Sequence, residues 1–201
     1  MNGKKIAQVI RDDDQYQLIL DDINDNQWIV SDGFCMFVLS NDEYQDFKKK
    51  WNSYKTTENI PSDIKEYHIN TYGTKTTTKE NSPDWDNVIP DFEFTESLNM
   101  FDTDIRIGDT VIYKAVNSNN MIRLDQKYTQ FIEDYWDVFA YPENTYKKTV
   151  QIDSKNGDMK MVIMPIRNMN KEGEYTVKET LENYLECNIS FNSSKDKKEA
   201  I

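Results

Sequence analysis

The sequence predicts an α+β domain in which an antiparallel sheet carries helices on one face. Three observations lead there. Short apolar runs alternate with breaks rich in Asp, Asn and Gly, the pattern of an antiparallel meander. Two stretches place a capping residue directly before apolar positions at helical spacing. Tyr, Phe and Trp are plentiful in a chain of 201 residues, and each buried aromatic removes about 150–250 Å² from water, so one substantial core is within reach of an otherwise wet composition.

In chain order, Lys4–Ile10 reads as a short strand, followed by the solvated turn of Asp12, Asp13 and Asp14. Tyr16–Leu20, Trp28–Ser31 and Phe34–Leu39 read as three further strands, the last two joined by Asp32-Gly33, a strong hairpin signal. In SNDEYQDFKKKWNSYK, Ser40 and Glu43 have the spacing of a capping box, and Tyr44, Phe47, Trp51 and Tyr54 fall near one side of a helix. Residues Thr71–Asp84 are too polar to offset their ordering entropy and are expected to be a mobile loop. The apolar content rises again from Trp85 to Phe101, where the chain is expected to rejoin the core.

Strand pattern resumes after Gly108 with TVIYKAV and MIRL. Asp125 is the expected N-cap of a helix reaching Trp136, with Tyr128, Phe131, Ile132 and Tyr135 at i, i+3, i+4 and i+7. Val138–Tyr141, Thr149–Ile152 and Met159–Ile166 read as three more strands. The last is apolar at successive positions, which suits a strand packed on two sides. A domain is therefore expected over residues 1–167. An appended piece, 168–201, holds an amphipathic helix capped by Thr176 with Glu179, striped by Val177, Leu181, Tyr184 and Leu185, and then a disordered tail.

Charge and residue inventory narrow the function. A formal charge of −12 opposes general coating of nucleic acid. Direct contact would need a local basic patch, and Lys48, Lys49, Lys50 and Lys55 supply the one candidate. Cys35 and Cys187 are expected to be reduced thiols of a cytoplasmic protein, because MNGKKIAQVIRDDD has no signal-peptide core and no run is long enough to cross a bilayer. His68 has no Cys or His partner at metal spacing, and Asp12–Asp14, Asp21 with Asp22, and Asp84 with Asp86 lack calcium-loop spacing. With no phosphate-cradling glycine loop and no nucleophile elbow, neither enzyme chemistry, a metal nor a cofactor is expected.

The series MIRLDQKY, TQFIEDYW, DVFAY, KTVQIDS and MVIMPIR, from Met121 to Arg167, resembles the last half-domain of the bacterial DNA polymerase sliding clamp, the beta subunit. In that family a strand, a short helix and three strands end in Met-Pro, an aliphatic residue and Arg. WIVSDGFCMFVL is similar to a strand, Asp-Gly and strand of the same family. The Lys, Asn, Asp and Tyr usage resembles that of small proteins from phages and mobile elements of AT-rich bacteria. The resemblance implies a single DNA-clamp-like domain, followed here by the C-terminal helix. It also implies that Met164, Pro165, Ile166 and Arg167 border a groove for short peptides of partner proteins. A ring of six such domains would require the chain to form a homo-oligomer.

Two binding functions follow as expectations. The first is a clamp-like protein-binding factor of phage or mobile-element DNA metabolism, with a host or phage replication or defence protein as partner. The second is an acidic DNA mimic that blocks a host nucleic-acid-binding protein, of the anti-restriction or anti-CRISPR type. It would present Asp12, Asp13, Asp14, Asp21, Asp22, Asp25, Asp84, Asp86 and Asp91 in place of phosphates.

Overall fold

The chain's first element is a helix where a strand was expected. Gly3–Arg11 forms α1 and buries Ile6, Ala7 and Ile10 along one side. Asn2 is its N-cap, its side chain accepting from the Lys5 amide at 3.1 Å. So short an apolar segment satisfies strand and helix periods alike, and packing against a neighbouring helix decides between them. The computed structural model describes residues 1–12, 17–24, 26–54, 59–61, 66–70, 97–118, 120–141, 149–166, 168–170 and 173–175. The expected loop at 71–84, the stretch 85–96 and the expected C-terminal helix and tail from 176 lie outside them.

Strands β1 (Gln17–Asn24), β2 (Gln27–Ser31) and β3 (Cys35–Ser40) form the predicted meander, with Leu20 opposite Val30 and Val30 opposite Phe37. The capping box is present: Ser40 and Glu43 exchange side-chain-to-backbone hydrogen bonds and start α2 (Asn41–Trp51), which buries Tyr44, Phe47 and Trp51. Helices α1 and α2 run side by side in the same direction. A Cβ on Gly3 would stand 2.0 Å from the Glu43 carbonyl oxygen, and at the other end Arg11 and Lys50 both lie over the Tyr54 ring, 5.3 and 4.9 Å from its centroid.

β4 (Glu66–Asn70) pairs with β1, and β5 (Leu98–Ile107), β6 (Thr110–Ala115) and β7 (Met121–Asp125) form a second meander. Asp125 caps a helix as expected, but α3 spans only Gln126–Thr129 and does not continue to Trp136. The following amides bond three residues back, Phe131 to Tyr128 and Ile132 to Thr129, and the chain turns into β8 (Asp137–Ala140). Tyr128 and Phe131 are buried while Tyr135 is 59% exposed, so tertiary packing uses only the first part of the apolar stripe. β9 (Val150–Asp153) and β10 (Met159–Ile163) follow. β10 ends three residues short of the predicted strand end, and the appended piece begins with a hairpin, β11 (Asn168–Asn170) and β12 (Gly173–Tyr175).

The large sheet has the order β4-β1-β2-β3-β10-β9-β8-β5-β6-β7, with every pairing antiparallel. The fold is α+β. Its centre has a topological twofold: a helix and a three-stranded meander occur twice, as α1-β1-β2-β3 and α3-β8-β9-β10, and the two last strands pair with each other. On the front face Leu20, Val30, Phe37, Met161 and Ile163 share one core with the buried side chains of the three described helices. The alternate residues Ile29, Met36, Val38 and Val162 form a separate buried cluster on the back. β10 is thus packed on both faces, as its almost unbroken apolar run predicted.

Two consequences are measurable. Gly3→Ala forces a methyl group into backbone atoms of α2 and should lower stability by about 1–3 kcal/mol, read as a reduced urea midpoint with unchanged slope. Asp153 sits on the back face, 7% exposed, opposite Asp137. Burial raises its carboxyl above the usual value, the Gln151 hydrogen bond opposes this, and Asp137 and Asp158 add to it. The folded state therefore holds this proton to a higher pH than the unfolded chain, and the group disfavours folding progressively as the pH rises past its unfolded pKa, in full above its folded pKa. Asp153→Asn should raise the urea midpoint at neutral pH, with the gain shrinking as the pH falls towards about 4.

Candidate functional site

The strongest candidate lies where β3 begins and β10 ends. Antiparallel pairing places Ile163 opposite Cys35, and the ladder gains one more bond, from the Met164 amide to the Phe34 carbonyl at 2.9 Å. Pro165 has no amide proton and cannot extend it. The chain then leaves the β3 partner, and the Ile166 amide donates to the Arg123 carbonyl of edge strand β7 at 2.8 Å. One three-residue segment thereby joins the centre of the sheet to its far edge.

The result is a groove of about 540 Å³ lined by Phe34, Asp125, Lys127, Tyr128, Met164, Pro165 and Ile166, a size typical of ligand-holding clefts. Phe34 is 63% and Met164 43% exposed, Ile166 is half-buried and Pro165 is buried. Phe34 and Met164 are thus two large apolar side chains exposed at one groove, a feature that marks surfaces able to receive another molecule. Asp125 and Lys127 continue into an adjoining polar hollow with Asp109, Gln126 and Gln130.

A buried carboxylate organises this wall. Asp32 is 4% exposed and accepts from the Phe34 amide at 3.0 Å, from the Cys35 amide at 2.9 Å and from the Tyr128 hydroxyl. Gly33, at φ +88°, supplies the left-handed residue that this tight turn needs. Tyr128 also meets Phe37 edge-on at 6.4 Å, and the Lys127 ammonium lies 4.7 Å from the Tyr128 ring centre. Burial, and after it the Asp32 carboxylate, pushes the Cys35 thiol up, so it stays protonated and serves as core rather than nucleophile.

The residues expected from sequence divide. Met164, Pro165 and Ile166 meet at the groove; Arg167 lies outside the described residues. Lys48, Lys49 and Lys50 occupy the last turn of α2, where cations complement the helix dipole. Lys48 donates to the Pro61 carbonyl and Lys50 covers Tyr54; Lys55 is outside the described set. Asp12 is the exposed C-cap of α1, while Asp21 and Asp22 are successive residues of β1 and face opposite sides of the sheet. Asp13, Asp14, Asp25, Asp84, Asp86 and Asp91 lie outside. His68 belongs to β4. Among the described residues no three His, Cys, Asp or Glu are placed to hold a metal ion, and no described helix is long and apolar enough to cross a membrane.

Sequence reasoning missed Phe34 and Tyr128 as groove residues and Asp32 as the buried group that holds them. Each had a sufficient local role, in a strand, a hairpin turn and a helix stripe, and no local signal shows that three such elements converge. The Asp32 network has a testable cost. Asp32→Ala strands two backbone amides and a phenol and should destabilise by about 3 kcal/mol, whereas Tyr128→Phe, which removes one donor only, should cost about 1 kcal/mol in the same urea titration. Comparison with family models, with curated proteins and with solved structures finds no match to this chain.

Proposed function

We propose that this chain is a non-enzymatic protein-binding factor built on a sliding-clamp-like domain, and that its groove takes a short apolar peptide from a partner protein. The partner belongs to phage or mobile-element DNA replication or defence, on the host or the phage side. The observation that carries the reading is that exposed Phe34 and Met164, paired at the end of the β3–β10 ladder, line one groove with Pro165, Ile166 and Tyr128. The twofold arrangement of helix and meander about the β3–β10 pair supports a clamp-like domain. The groove supplies apolar contact, and Arg167, next in sequence, offers a fork for a peptide carboxylate. Of the residues of the acidic-mimic alternative, the described ones, Asp12, Asp21 and Asp22, are spread over a helix end and two faces of one strand.

Selection of displayed random peptides on the immobilised protein tests this directly. The wild-type chain should enrich sequences with two or more adjacent large apolar residues. Phe34→Ala combined with Met164→Ala should weaken a selected peptide at least about tenfold, a loss of about 1.4 kcal/mol or more, while leaving the unfolding midpoint within about 0.5 kcal/mol of wild type. Binding should change little between low and high salt. Equal affinity in the double variant, or steep weakening by salt, would overturn the groove assignment.

A further inference from the structure

The apolar groove opens into a space of different chemistry. Asp125 and Lys127 line both the groove and the adjoining hollow of about 600 Å³, which Asp109, Gln126 and Gln130 complete. A peptide seated on Phe34 and Met164 therefore has a polar compartment beside it, separated by no wall of its own.

What the hollow can hold follows from which of its groups are already engaged. Its backbone donors are spent: the Gln126 amide bonds to the Asp109 carbonyl at 2.8 Å, and the Lys127 amide bonds to Asp125 Oδ1 at 2.9 Å. The Gln130 side-chain amide donates to the Lys127 carbonyl. The Lys127 ammonium lies over the Tyr128 ring, 4.7 Å from its centre, and that ring belongs to the groove. The acceptors are in surplus. Asp109 is exposed and uses its carbonyl, not its carboxylate, to hold the turn, and Asp125 is half-buried and keeps a second oxygen beside the one that caps α3. Two carboxylates thus line the hollow against one ammonium. An anion would meet repulsion and no spare backbone donor, whereas an ammonium or guanidinium, which only donates, would meet acceptors that carry charge. Such charge-assisted bonds are about twice as strong as neutral ones, so a cation is favoured over a neutral amide or hydroxyl. The chain's charge of −12 adds the same preference at longer range.

We propose that the peptide bound in this groove carries an arginine or lysine flanking its apolar residues, and that this cation meets the carboxylates of Asp109 and Asp125 in the hollow. The assignment rests on the groove reading above and adds the partner's chemistry to it: an apolar pair with one basic neighbour. Phe34 and Met164 supply most of the affinity, and Asp109 and Asp125 set which apolar segments are accepted. One cation leaves the contact mainly apolar, so its salt dependence stays shallow.

Random peptides displayed and selected on the wild-type protein should carry Arg or Lys at a fixed offset from the apolar pair. The most enriched sequence, made as a synthetic peptide, and its variant with that cation replaced by Gln are then titrated against wild type and against Asp109→Asn combined with Asp125→Asn. Asn caps a helix as well as Asp does, so α3 keeps its start while both charges are removed. Replacing the peptide cation should weaken binding about fivefold on wild type and less than about twofold on the double variant. Asp42→Asn combined with Asp46→Asn removes the same charge from exposed positions of α2 and should leave the fivefold difference intact, which separates a seated cation from general attraction to an acidic protein. Apolar peptides enriched without a basic residue at a fixed offset, an acidic residue there instead, or an equal effect of the cation replacement on wild type and the Asp109/Asp125 variant would each overturn the proposal and leave the groove in place. Failure to enrich apolar peptides, or indifference of the selected peptide to Phe34→Ala with Met164→Ala, would overturn the groove and this proposal together.

Discussion

The structure depends on one pairing, between β3 and β10. These strands are far apart in the chain, yet they bond through the Met161–Phe37, Val162–Met36 and Ile163–Cys35 partners and join two otherwise local meanders into one sheet. Such a pairing carries a loop-closure cost that local hairpins do not. It is offset because both strands bury apolar side chains on both faces. A slip of one residue would exchange the front set, Cys35, Phe37, Met161 and Ile163, with the back set, Met36, Val38 and Val162. Register is therefore held by the shapes of two cores, since polarity alone could not distinguish the faces.

The groove is what remains where that pairing stops. Pro165 cannot donate the next ladder bond, so the segment after β10 peels away and finds the edge of β7. Asp32 holds the other side of the gap, its carboxylate accepting two turn amides and the Tyr128 hydroxyl. Three donors satisfy a carboxylate that burial would otherwise penalise heavily. Phe34 and Met164 stay at the surface because the backbone at their positions is committed to this turn and to the last ladder bond, which leaves their side chains outside both cores.

The electrostatics of the helical layer follow from the same economy of contacts. Two parallel helices place their C-termini together, and Arg11, Lys48, Lys49 and Lys50 gather at that end, where partial negative charge from the carbonyls favours them. Tyr54 adds a ring face for Arg11 and Lys50. Lys48 and Lys50 of the basic run therefore have intramolecular partners, and the net charge of −12 adds long-range repulsion of a polyanion.

Local chemistry made much of the fold legible in the sequence. The Ser40–Glu43 box, the Asp32-Gly33 turn and the Asp125 cap act within a few residues, so they work in whatever tertiary setting they meet. The apolar run before Pro165 likewise announced a strand buried on two sides. Other outcomes needed the folded whole. The Gly3–Arg11 segment became a helix because α2 offers a matching face, and the stripe after Asp125 gave one helical turn because Phe37 engages Tyr128 and Phe131 but leaves Tyr135 outside. The sequence by itself determined which segments could bury apolar surface and where the backbone must turn. Only the tertiary structure decided that Phe34, Tyr128 and Met164 share one recess, because their proximity arises from strand order and a proline-terminated ladder, and neither is encoded by the neighbours of those residues.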